Sequence, residues 1–188
     1  NTTWANDQRD SHIYTTRGTV QRAYGEIGLP GGDLKFYKLN YQHQKFFPLT
    51  KDITLMLNGE YGFGDGYGGE PMPFFRHFYA GGIGSVRGFK TGSLGPRDKD
   101  ALGNDTKEAL GGNKRLVATA EFLMPLPGIG LDKSFRFGGF VDTGYVWATS
   151  QKMRLSDLRY SIGISVAWSS PFGPLKFSVA QPLNKKSG

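Results

Sequence analysis

Hydrophobic and polar side chains alternate along most of this 188-residue chain. Alternation with a period of two is typical of β-strands that have one apolar face and one polar face. We predict about seven strands, over residues 12–29, 34–47, 53–63, 114–124, 135–147, 159–169 and 175–183. Since short turns rich in Gly and Pro separate most of them, the sequence predicts an all-β, antiparallel fold.

The sixth predicted strand indicates what surrounds the sheet. Its large apolar side chains, at Tyr160, Ile162, Ile164, Val166 and Trp168, alternate with small ones at Ser161, Gly163, Ser165 and Ala167. This pattern favours a transmembrane β-barrel over a soluble β-sandwich or lipocalin-like barrel, whose outward face would carry more charge. Most predicted strands reach the roughly 9 to 11 residues that a tilted strand needs to cross a bilayer. Aromatic residues near strand ends are expected at the membrane interface, namely Tyr145, Trp147, Tyr160 and Trp168.

Residues 64–113 form a long, irregular and glycine-rich connection between the third and fourth predicted strands. A connection of this length in a compact domain is usually functional or disordered. The turns after the second, fourth and sixth strands fall at one end of the sheet, as short periplasmic turns would. We therefore predict that residues 64–113 lie at the opposite, extracellular end.

Net charge and residue types narrow the possible functions. The charge of +7 comes from 23 basic and 16 acidic residues, but the basic residues are dispersed, so we predict no nucleic-acid partner. Solvated loops, or else attraction to anionic lipid headgroups, explain the charge better. The three histidines lack metal-ligand spacing, and we find no nucleophile-base arrangement for hydrolysis. The sequence predicts no metal, no cofactor and no enzymatic activity.

The motif Val86-Arg87-Gly88-Phe89 within the long connection is the main candidate site. An arginine that is buried in such a loop needs a carboxylate partner. Glu121 and Asp142 lie on the predicted inward faces of the next two strands, so each strand offers one. Loss of one partner of such a buried pair costs roughly 3–5 kcal/mol. The alternative interpretation is that Arg87 lies on a solvated loop tip.

An ordered series of motifs over nearly the whole chain resembles the BamA family of outer-membrane insertases. The series includes Tyr61-Gly62-Phe63-Gly64-Asp65-Gly66, Met72-Pro73-Phe74-Phe75, Phe78-Tyr79-Ala80-Gly81-Gly82, Val86-Arg87-Gly88-Phe89, Val141-Asp142-Thr143-Gly144-Tyr145-Val146-Trp147, Ser170-Pro171-Phe172-Gly173-Pro174-Leu175 and Ala180-Gln181-Pro182. The resemblance implies that residues 64–113 fold into the barrel lumen, where Arg87 pairs with Glu121 and Asp142. Gly88 would then permit close backbone approach, and Phe89 would anchor apolar contacts.

The resemblance also implies a context for the chain. Residues 1–188 would be the C-terminal part of a sixteen-stranded barrel, with the periplasmic POTRA domains, the first half-barrel and the final strand absent. The implied function is non-enzymatic, as part of the central insertase that assembles β-barrel proteins into the bacterial outer membrane. The implied partners are outer-membrane lipids, the lipoproteins of the BAM complex and nascent outer-membrane proteins.

Several other functions fit the same strand pattern. A related translocation pore, such as TamA or a two-partner secretion transporter, also carries an arginine loop motif. A passive porin-like channel and a soluble binding β-domain are further alternatives. The stretches 72–75 and 180–182 favour the BamA family among these.

Overall fold

The computed structural model describes residues 1–29, 31–32, 34–126, 134–170 and 172–184. Eight strands over these residues form one sheet, in the order β1-β2-β3-β4-β7-β8-β9-β10, with every neighbouring pair antiparallel. Their bounds are β1 Thr2–Asp7, β2 Gly18–Ile27, β3 Phe36–Pro48, β4 Thr54–Gly66, β7 Lys114–Pro125, β8 Phe135–Trp147, β9 Arg159–Ser170 and β10 Gly173–Pro182. A separate hairpin contains β5 Arg97–Lys99 and β6 Asp105–Ala109, and two short 3₁₀ helices span Phe74–Arg76 and Leu155–Asp157.

The predicted all-β, antiparallel fold is confirmed, but the main sheet has eight strands among the described residues rather than about seven. Strand β1 was missed because its six residues carry little apolar alternation. Strand β2 begins at Gly18 rather than at residue 12, since residues 8–17 form a connection. Asp10 stabilises that connection by accepting the backbone N–H groups of Thr16 and Arg17 at 3.0 and 3.2 Å. Pro171, within the turn motif of residues 170–175, lies outside the described residues.

The two faces of the sheet differ sharply in polarity. One face, called the outer face, exposes large apolar side chains that include Leu39, Tyr41, Leu57, Tyr61, Phe122, Val141, Ile162, Ile164, Phe177 and Val179. On the opposite, inner face, polar side chains bind one another across strands: Gln42 Nε2 donates to Asn58 Oδ1 at 2.9 Å. Asn40 Nδ2 likewise donates to Glu60 Oε1 at 3.0 Å. An apolar outer face and a hydrogen-bonded inner face are what the wall of a membrane barrel requires.

No helix in the described part of the chain is long and apolar enough to span a membrane.

One of the predicted interfacial aromatics lies elsewhere. Trp147 is only 1% exposed, and its Nε1 donates to Asp157 Oδ2 at 3.1 Å. The prediction for Trp147 is therefore wrong, because the connection between β8 and β9 covers its ring. At the opposite strand ends, the rings of Phe135 and Trp168 stack with centroids 5.4 Å apart.

The long connection packs against the inner face. It occupies residues 67–113 and is called loop 67–113 below. Its buried residues form an apolar cluster with β7 and β8, composed of Phe78, Ala80, Val86, Leu94, Val117 and Val146. Backbone hydrogen bonds fix the loop base, from Gly64 N to Asn113 O at 2.8 Å and from Asn113 N to Trp147 O at 2.9 Å. The loop is thus held on the inner face by packing and by main-chain bonds.

The polarity of the two faces generates a prediction for the intact protein that contains this chain. Replacing Ile164 on the outer face by Arg should lower the free energy of unfolding in lipid vesicles by about 2–4 kcal/mol, because a charge would face hydrocarbon. Gln44→Arg on the inner face is the matched control and should have a small effect. Guanidinium unfolding in vesicles measures both, and equal losses would contradict the assignment of the faces.

Candidate functional site

A tight turn directs the Val86-Arg87-Gly88-Phe89 motif toward the inner face. Gly81 and Gly82 have φ angles of +107° and +93°, a conformation that favours glycine. Gly81 N donates to Ser85 Oγ at 2.8 Å, and Gly82 N donates to Val86 O at 3.1 Å. These bonds close the turn immediately before Arg87, so its side chain leaves the turn in a defined direction.

Asp142 on β8 is the main partner of Arg87. Its Oδ2 accepts the backbone N–H of Arg87 at 3.0 Å and the side-chain Nε at 2.7 Å, while its Oδ1 accepts Nη2 at 2.8 Å. The side-chain contact is bidentate, which is the strongest geometry for an arginine and a carboxylate. Because the backbone takes part as well, the pair fixes the position of the loop and not only of the side chain.

Glu121 on β7 provides the second carboxylate. Its Oε2 accepts Arg87 Nη1 at 3.3 Å. Its Oε1 accepts a hydrogen bond from the Ser165 hydroxyl on β9, with an O–O distance of 2.5 Å. Lys176 Nζ, on β10, lies 3.0 Å from each carboxylate oxygen. The structure therefore brings together Arg87, Glu121 and Asp142, the three charged residues of the predicted site, which we call the arginine site.

The arginine site is almost completely removed from solvent. Arg87 is 7% exposed, Glu121 is 1% exposed and Asp142 is fully buried. Burial disfavours the charged form of Arg87, but the hydrogen bonds with Asp142 and the charge of Glu121 outweigh it and raise the pKa of the guanidinium. The guanidinium carbon also lies 3.2 Å from the centroid of the Phe140 ring, so a cation–π contact covers one side of the ion pair.

The other motif residues surround Arg87 with apolar contacts. Val86 is fully buried in the cluster between the loop and the sheet, and Phe89 packs against the same cluster. Gly88 has a φ of +87°, and a Cβ built on it would lie 3.2 Å from the Ala180 Cβ on β10. The loop backbone therefore passes close to the last described strand.

Three residues that contact the arginine site were not identified from the sequence, namely Phe140, Ser165 and Lys176. Each occupies an inward-facing position in the alternation of its strand, and this alternation is the signal that could have indicated them. The sequence alone did not show that Glu121 reaches beyond its neighbouring strand. It does so over Gly138 on β8, where a Cβ would lie 2.6 Å from Ser165 Oγ and 2.8 Å from Glu121 Oε1.

The charges of the site neutralise one another. Arg87 and Lys176 supply two positive charges, and Glu121 and Asp142 supply two negative ones.

A polar cavity of about 180 Å³ adjoins the site, and its lining includes Gln42, Asn58, Glu60, Arg87, Glu121 and Lys176. No group of three or more His, Cys, Asp or Glu side chains among the described residues could hold a metal ion. The geometry is suited to fixing a loop on a barrel wall.

An antiparallel wall with an apolar outer face, a polar inner face and a loop fixed inside it defines a membrane β-barrel protein. A family model described as the Omp85 superfamily domain matches residues 1–188. The chain therefore belongs to the Omp85 superfamily.

Curated relatives and a solved structure give the same result. The outer membrane protein assembly factor BamA of Neisseria meningitidis is 40% identical over 97% of this chain and 26% of its own length. A SAM50-like protein of Schizosaccharomyces pombe is 25% identical over 96% of this chain and 39% of its own length. The crystal structure of BamA from Haemophilus ducreyi lacking POTRA domains 1–3 matches with a TM-score of 0.88 and 30% identity. That match covers 98% of this chain and 38% of the other.

These matches confirm the resemblance that the motifs indicated. BamA of Nitratidesulfovibrio vulgaris is a further relative, which is 29% identical over 95% of this chain and 22% of its own length. This chain thus spans about a quarter of the length of the two bacterial relatives.

The close contacts at Gly138 generate a test of the site. Gly138→Ala should push Glu121 away from Ser165, and we expect the free energy of unfolding to fall by about 1–3 kcal/mol. The neighbouring Gly139 is the matched control, because a Cβ there meets nothing within 4 Å. Guanidinium unfolding of the intact protein in vesicles should show no loss for Gly139→Ala. Equal effects of the two substitutions would contradict the proposed packing of Glu121.

Proposed function

We propose that this chain is part of the barrel of an outer-membrane insertase, which assembles β-barrel proteins and inserts them into the bacterial outer membrane. The observation that carries the proposal is the arginine site, in which a loop arginine is buried between Glu121 and Asp142. The similarity to BamA proteins over nearly the whole chain supports it. The intact protein would act in the outer membrane, with loop 67–113 entering the barrel from the extracellular side.

The proposed task of this part of the barrel is to provide a stable wall. Strands β7, β8 and β9 each have two neighbours, and their inner faces hold loop 67–113 through the arginine site. The ordered loop would keep the barrel in shape, while insertion of client strands takes place elsewhere in the intact protein. The proposed role is non-enzymatic and needs no cofactor.

The proposed partners follow from the two faces and from the task. The apolar outer face would contact outer-membrane lipids. Nascent outer-membrane proteins would be the clients of the intact protein, and the lipoproteins of the BAM complex would assist it. No nucleic-acid partner is proposed, since the basic residues are dispersed along the sequence.

The test is reconstitution of the intact protein in lipid vesicles. We expect it to increase the rate at which a urea-denatured outer-membrane protein inserts, and we expect Arg87→Ala to remove most of this increase by releasing the loop. Arg97→Ala is the matched control, because Arg97 lies in the same loop and its Nη1 donates to the Thr106 carbonyl oxygen, at 3.3 Å, rather than to a carboxylate of the arginine site. Insertion should be measured by the heat-dependent gel mobility of the client.

The alternatives give different results in the same vesicles. A translocation pore or a porin-like channel would conduct solutes without accelerating client insertion. That outcome would overturn the insertase proposal.

A further inference from the structure

Lys176 makes a contact that spans much of the sheet. It lies on β10, the last strand of the described sheet, whereas its partner Glu121 lies on β7, three positions away in the sheet order. In a flat sheet these strands would lie about 14 Å apart, since neighbouring strands are separated by about 4.8 Å. Lys176 Nζ nevertheless lies 3.0 Å from both carboxylate oxygens of Glu121. The ion pair therefore crosses the inner face over the two intervening strands, β8 and β9.

A path of small residues makes the contact possible. Gly138 on β8 leaves the space through which Glu121 passes, since a Cβ there would lie 2.8 Å from Glu121 Oε1. Ser165 on β9 donates its hydroxyl to the same oxygen at 2.5 Å. Glu121 on β7 thus meets groups from β9 and β10 without obstruction from β8.

The charge of Glu121 explains why a second cation matters. Arg87 makes its bidentate contact with Asp142, and its contact with Glu121 is a single bond of 3.3 Å. A carboxylate that is 1% exposed needs close compensation of its charge. Lys176 supplies that compensation while keeping 45% of its side chain exposed. Without Lys176, the buried charge of Glu121 would depend on the weaker contact to Arg87 and on the uncharged hydroxyl of Ser165.

A second contact joins the loop to the same strand. The Gly88 backbone passes so close to β10 that an added Cβ would lie 3.2 Å from the Ala180 Cβ. Phe140, whose ring covers Arg87, lies over Gly163 on β9, where a Cβ would lie 2.5 Å from the ring. The arginine site and β10 are therefore in contact through charge at Lys176 and through packing at Ala180.

We propose that Lys176 is a positioning residue, which couples the docking of loop 67–113 to the placement of strand β10. The inference rests on the proposed function only in assuming that the docked loop is the working state. Lys176 orients Glu121 toward Arg87, and Glu121 in turn holds β10 against the inner face. Release of the loop would then loosen β10, and loss of Lys176 would loosen the loop.

Two measurements on the intact protein in vesicles test this coupling without any client protein. The first is the rate at which chymotrypsin cleaves loop 67–113, and the second is amide hydrogen exchange of β10. We expect Lys176→Met to accelerate both by about threefold to tenfold. The expected effect is modest because solvent screens the charge of a partly exposed lysine. Lys176→Arg should restore both rates, since it restores the charge. Ser178→Ala, on the same face of β10, is the matched control and should change neither.

Whether the effect of Lys176→Met requires Glu121 distinguishes a positioning role of the lysine from a general loss of stability. In a Glu121→Gln background, Lys176→Met should have little further effect on loop cleavage or on β10 exchange, because the carboxylate that it orients is gone. Unchanged rates in Lys176→Met would overturn the proposal, and so would equal acceleration by Lys176→Met in both backgrounds. Because neither readout involves insertion, failure of the insertase proposal would appear separately, in the client assay.

Discussion

The ion pair between Arg87 and Asp142 is the interaction on which the inner half of this structure depends. A guanidinium that is 7% exposed is stable only beside charged partners, and Asp142 offers both oxygens to it and to the backbone of the loop. The apolar packing of Val86 against β7 and β8 accompanies this pair, because the two residues are adjacent in the chain. The ion pair therefore acts together with the apolar cluster and the main-chain bonds at the loop base to hold loop 67–113 on the inner face.

The sheet is arranged to accept that contact. Its polar inner face tolerates four buried or half-buried charges because they neutralise one another, whereas its apolar outer face is suited to lipid. Glycine at position 138 leaves space for Glu121, and the ring of Phe140 covers the guanidinium. The same residues that hold the loop also connect β7 with β10, so loop position and strand position are parts of one network.

Much of this arrangement could be predicted from the sequence, for identifiable reasons. Strong alternation gave the bounds of β8 correctly and placed Glu121 and Asp142 on the inner face, since a period of two determines the face of each residue. Strand β1 was not predicted because it lacks apolar alternation. Trp147 was misplaced because a connection covers it, and the contact of Lys176 with Glu121 was missed because two strands lie between these residues in the sheet.

The most direct test of the account is a double-mutant cycle between Arg87→Ala and Asp142→Ala in the intact protein. The readouts are cleavage of loop 67–113 and the heat-dependent gel mobility of the barrel. The account predicts that each single substitution releases the loop and that the double substitution does little more, with a coupling energy of about 2–3 kcal/mol. Additive effects, or two single variants that both keep the loop protected, would contradict the central role of this ion pair.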